Sequence, residues 1–69
     1  MNVNKEVELI TKKLIKIKKS NYTFVELFNT LTKNRNKEEK LMILTYIPKV
    51  LAEKGYEIVN KDNFELRKY

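Results

Sequence analysis

The sequence predicts a mostly α-helical domain in which three helices are followed by a C-terminal β-hairpin. Three observations predict it. Two N-terminal stretches carry apolar residues at helical spacing. The run Leu41–Leu51, LMILTYIPKVL, sits between a candidate cap and Gly55, the chain's only glycine. The tail from Tyr56 to Tyr69 alternates apolar and charged residues, as a half-buried strand pair does. The 69 residues are expected to form one domain, 1–69. A chain of this size buries only about 60% of the surface its unfolded form exposes. With no cysteine and no histidine, neither a disulfide nor an ordinary zinc site adds stability. A second copy of the chain or a partner protein is the remaining source.

The first helix is read over residues 4–19. At 100° per residue, Val7, Ile10, Leu14 and Ile17 form one stripe, and Lys5, Lys12, Lys16 and Lys19 lie opposite. Asn4 is the candidate N-cap. Glu6 and Glu8 suit the positive end of the helix dipole, and Lys16, Lys18 and Lys19 the negative end. Ser20, Asn21 and Tyr22 make a polar break.

The second helix, 23–32, opens on Thr23-Phe-Val-Glu26. This is a capping box, in which the threonine oxygen accepts a free amide and the glutamate reaches back. Phe24, Leu27, Phe28 and Leu31 then follow the spacing of a buried face. Lys33-Asn34-Arg35-Asn36 is the connecting loop, with Asn36 and Glu39 spaced as a second capping box. Lys33, Arg35 and Lys37 gather at this turn, which reads equally as a phosphate site built from free helix amides and cations or as an ordinary polar turn.

The third helix is read over 37–54, closed by Gly55 in a left-handed conformation. Pro48 lies inside it and either kinks it or splits it in two, because proline lacks an amide donor and clashes with the preceding turn. Projection places Leu41, Leu44, Ile47 and Leu51 towards the core, flanked by Ile43, Val50 and Pro48. Glu38, Met42, Thr45, Tyr46, Lys49 and Glu53 fall on the free face.

The hairpin is read over 56–68, with Tyr56, Ile58, Phe64 and Leu66 on one face. Pairing Ile58 with Leu66 sets Glu57 opposite Arg67, whereas pairing Ile58 with Phe64 would oppose Glu57 and Glu65. The first register is preferred. It leaves Lys61-Asp62-Asn63 as a three-residue loop with Asn63 in the left-handed position.

Several function classes are disfavoured. The eight glutamates are scattered and Asp62 is the only aspartate. Without histidine or cysteine the commonest bases, nucleophiles and zinc ligands are missing, so no catalytic, cofactor-binding or metal-ligating residue is assigned. A lone glycine cannot build a glycine-rich phosphate loop. The longest apolar run is four residues, Leu41–Leu44, and no secretory signal is recognisable. Membrane association is not expected, and a cytoplasmic protein is.

Binding remains. The net charge is +6, with 15 basic and 9 acidic residues. Residues 1–20 hold six lysines against two glutamates, a local balance of +4. An anionic partner fits this excess. So does an A/T-rich coding bias, since thirteen of the fifteen basic residues are lysine and there are eight asparagines.

The order of elements resembles a winged helix-turn-helix. Val50-Leu51-Ala52-Glu53-Lys54-Gly55-Tyr56-Glu57-Ile58 is similar to that superfamily's exit from its third helix: an apolar pair, polar positions, glycine, an aromatic, then the first wing strand. Phe24 to Tyr69 is more loosely similar to small winged-helix proteins of Gram-positive mobile elements, some linked to replication or single-strand binding. The resemblance implies DNA contacts through the third helix and the wing. Two departures argue against standard major-groove docking. The turn between helices two and three lacks glycine, and Pro48 interrupts the reading helix. Its free face also carries glutamates, which oppose phosphate.

The expected function is therefore binding of duplex or single-stranded DNA with modest sequence preference, as a replication or regulatory accessory of a phage- or plasmid-like element. Lys12, Lys16 and Lys19 are the expected phosphate contacts, with Lys33, Arg35 and Lys37 at the turn and Lys61 and Arg67 in the wing. The alternative is a protein-binding adaptor or inhibitor acting through Met42, Thr45, Tyr46 and Lys49, with no nucleic acid involved.

Overall fold

Two capping boxes set the starts of the second and third helices. In the computed structural model, which describes the backbone of residues 3–69 and the side chains of residues 4–69, the Thr23 hydroxyl accepts from the Glu26 amide at 3.0 Å. The Glu26 carboxylate accepts the Thr23 amide in return at 3.3 Å. Asn36 and Glu39 repeat the arrangement at 2.9 and 3.3 Å. The elements are α1 (Val3–Ile17), α2 (Phe24–Leu31), α3 (Lys37–Glu53), β1 (Tyr56–Asn60) and β2 (Glu65–Lys68). Three helices followed by an antiparallel hairpin is a winged-helix-like layout.

α1 begins at Val3, so Asn4 lies within its first turn and is not its cap. The helix ends at Ile17 rather than at Lys19. Lys18 closes it at φ +60, a left-handed conformation usually taken by glycine. The buried stripe is Val7, Ile10, Thr11 and Leu14, whereas Ile17 at the exit is exposed. Thr11 is fully buried and its hydroxyl has no hydrogen-bond partner among the described residues.

α3 is one helix from Lys37 to Glu53, with Pro48 inside it, so the chain does not split there. Pro48 is exposed, on a side where a carbonyl freed of its donor can meet water rather than apolar packing. Ile43, Ile47 and Leu51 are buried and Val50 half-buried. The expected core face is corrected here: Leu41 (56% exposed) and Leu44 (38%) lie outside the core. The apolar arc of α3 is wider than the surface that α1 and β1 can cover. Projection had centred the core on the whole arc, but packing selects only the side carrying Ile43 and Ile47.

The hairpin has the expected register at its open end, Glu57 opposite Arg67 and Ile58 opposite Leu66. It departs from expectation nearer the turn. Val59 is an extra residue between the Ile58 and Asn60 pairs, a bulge that shifts Asn60 opposite Glu65. Lys61 to Phe64 then form a four-residue turn. Asn63 does not take the left-handed conformation. The Asn60 side chain supports the turn instead, accepting from the amides of Asp62 and Asn63 at 3.0 and 3.1 Å.

The polar break after α1 has a role that periodicity cannot show. Lys18 to Tyr22 run along the free side of β2. Leu66 N donates to Lys18 O (2.8 Å), Ser20 N to Phe64 O (2.8 Å) and Phe64 N to Tyr22 O (3.0 Å), with Lys19 bridged to Glu65. This seats Phe64, fully buried, in the centre of the core beside Phe24, with ring centroids 6.0 Å apart. Tyr56, Ile58, Leu27, Leu31 and Val50 pack around the buried cluster.

Candidate nucleic-acid interface

The charge on α1 is sorted by direction. Both of its glutamates are engaged by other parts of the fold. Arg35, in the loop between α2 and α3, donates to the Glu6 carboxylate. Lys54, at the end of α3, lies 3.1 Å from Glu8. On the outer face Lys12, Lys13 and Lys16 are exposed and form no ion pair among the described residues, and Glu8, one turn before Lys12, borders them. Lys12 and Lys16 are four residues apart and neighbours on the helix surface. Leu9, 45% exposed, lies between them and Lys5 on that face.

Lys19 follows the left-handed turn at Lys18 and is also exposed. Its bridge to Glu65 is the kind of antiparallel pair whose side chains approach closely, so one carboxylate borders this end of the basic face. Lys61 is exposed in the hairpin turn, and its carbonyl accepts the Phe24 amide at 2.8 Å, which fixes the turn against the start of α2. Lys33 and Lys37 are exposed on either side of the loop that Arg35 ties to α1. α1 therefore runs between two other basic groups: the α2–α3 loop beside Glu6, and the hairpin beside Lys19.

The two arginines differ from the lysines. Arg35 is half-buried in its pair with Glu6, and Arg67 pairs across the hairpin with Glu57 at 2.9 Å. Each holds two segments of the chain together. The pairing of Arg67 with Glu57 follows from the expected hairpin register, whereas Glu6 lies 29 positions from Arg35 and carries no local signal.

The exposed side of α3 is a different surface. Met42, Thr45, Tyr46 and Lys49 are all exposed, as the sequence predicts for the free face, and Leu41 joins them. Lys49 Nζ lies 5.7 Å from the centre of the Tyr46 ring. An open cleft of about 350 Å³ between α1 and α3 is lined by Val7, Glu8, Tyr46, Lys49 and Val50 among others. Among the described residues no group of three or more His, Cys, Asp or Glu side chains is placed to hold a metal ion. No helix is long and apolar enough to cross a membrane. No protein-family model, curated protein or solved structure matches the chain.

Proposed function

We propose that this chain is a small nucleic-acid-binding protein with modest sequence preference, held to phosphates by the outer face of α1. The observation that carries the reading is the pairing of Glu6 with Arg35 and of Glu8 with Lys54, beside which Lys12, Lys13 and Lys16 stand exposed with no ion pair among the described residues. Lys19, Lys33, Lys37 and Lys61 extend this contact surface at the two ends of α1. Arg35 and Arg67 serve mainly to brace it. Lysines spaced along a helix track a phosphate backbone through charge without reading bases. The middle of α3 makes no such contact, because its exposed side carries Glu38, Met42 and Tyr46. A role as a replication or regulatory accessory of a phage- or plasmid-like element is what the sequence resemblance implies, and a cytoplasmic location is the expectation from the sequence.

The test is an anisotropy titration against labelled duplex and single-stranded DNA at several salt concentrations. If about five lysines engage phosphates, log K falls against log salt with a slope of roughly −4 to −5 on duplex and −3 to −4 on single strands. A slope near zero, or no binding to either form at low salt, removes the reading.

A further inference from the structure

The exposed side of α3 carries an apolar centre with Glu38 towards one end and Lys49, followed one turn on by Glu53, towards the other, and the Glu38–Lys49 pair is its own complement. Leu41 (56% exposed), Met42 (47%) and Tyr46 (40%) lie with Thr45 within a sector of about 140° around the helix. Glu38 and Lys49 lie in the same sector, one towards each end of the helix. Neither forms an ion pair among the described residues. They are eleven positions apart, roughly 16 Å along the axis.

We propose that this face is the contact between two copies of the chain, packed as antiparallel α3 helices about a two-fold axis. In the register centred between Ile43 and Leu44, Glu38 of one copy meets Lys49 of the other, and the same pair forms again at the opposite end. Met42 meets Thr45 at the centre, with Tyr46 beside Met42 of the other copy along one edge and Leu41 beside Thr45 along the other, so the apolar residues are covered. A closed two-fold contact requires this kind of self-complementarity. Parallel packing would stack Glu38 on Glu38 and Lys49 on Lys49, and like charges face to face disfavour it. A foreign partner would need an acid and a base at matching spacing in the reverse order. A second copy already presents that arrangement. One helix face is smaller than the ~800 Å² per partner of stable complexes, so the dimer is a weak one, dissociating in the range of tens to hundreds of micromolar.

The inference does not depend on nucleic acid, and its test contains none. Sedimentation equilibrium of the full chain, from about ten micromolar to about one millimolar, is expected to show the mass rising from monomer to dimer across the predicted range. Met42→Glu is expected to remain monomeric throughout. Lys49→Glu alone sets two glutamates together at each end and is expected to weaken the dimer about tenfold. Combining it with Glu38→Lys restores the pairs in reversed order and is expected to recover the affinity. All three positions are exposed, and helical circular dichroism confirms that each variant is folded. A monomer at every concentration overturns the proposal. So does a dimer indifferent to Met42→Glu, or a double variant no tighter than Lys49→Glu.

Discussion

The Arg35 guanidinium donates to the Glu6 carboxylate and so ties the loop between α2 and α3 to the first turns of α1. Both side chains are more than two-thirds buried, which distinguishes this pair from the exposed Glu57–Arg67 pair on the hairpin. Water and salt screen the exposed pair far more effectively. Arg35→Gln is predicted to lower stability by about 1–2 kcal/mol, and Arg67→Gln by less than about 0.5 kcal/mol. Urea unfolding measures both. Equal losses would contradict the bracing role of Arg35.

Left-handed backbone at the ends of two helices yields a pair of opposite predictions. Lys18 holds φ +60 with a side chain that disfavours it, whereas Gly55 holds φ +86 at no such cost. Apart from Gly55 and its two chain neighbours, no described residue has an atom within 4 Å of where a Gly55 Cβ would be, so a substitution there is felt through the backbone alone. Lys18→Gly is predicted to stabilise by about 0.5–1 kcal/mol, and Gly55→Ala to destabilise by about 1 kcal/mol. Thermal unfolding in low salt without nucleic acid checks the two signs.

Thr11 occupies an apolar position on the buried stripe of α1 with a hydroxyl that makes no hydrogen bond among the described residues. Burying an unpaired hydroxyl costs free energy that a methyl group of similar shape does not. Thr11→Val is predicted to raise stability by about 1 kcal/mol. A loss of stability would mean that the hydroxyl is paired in solution.

Phe64 has no exposed surface, and it packs on Phe24 at the point where the Lys18–Tyr22 segment, the hairpin and α2 meet. Phe64→Ala is predicted to cost about 3–5 kcal/mol. That approaches the whole stability of a domain this small, so the variant is expected to be largely unfolded at room temperature. Far-ultraviolet circular dichroism reads the outcome, and native helicity would contradict the central place given to Phe64.

The features legible in the sequence are those set by local chemistry. Thr23 with Glu26, and Asn36 with Glu39, mark helix starts within four residues, and opposed charges select the Glu57–Arg67 register. What escaped is set by packing between distant segments. The sequence does not say which part of α3's broad apolar arc α1 and β1 cover, so Leu41 and Leu44 read as core. The bulge at Val59 and the turn on Asn60 replace an equally plausible loop on Asn63. The pairing of Lys18–Tyr22 with β2 runs through main-chain groups, which no side-chain pattern encodes. For the candidate interface, the lysines of α1 were visible as a stripe. The pairing of Glu6 and Glu8 was not, because it depends on Arg35 and Lys54.

The central claim is that the outer lysines of α1 bind phosphate. Its most direct test compares the wild-type chain with the Lys12→Glu, Lys16→Glu, Lys19→Glu variant in anisotropy titrations at low salt. These residues are exposed, so the fold is expected to survive the changes. The wild-type chain is predicted to bind duplex or single-stranded DNA, and the variant to lose at least about a hundredfold in affinity with a shallower salt slope. A wild-type chain that binds neither form, or a folded variant that binds as tightly as wild type, would contradict the account.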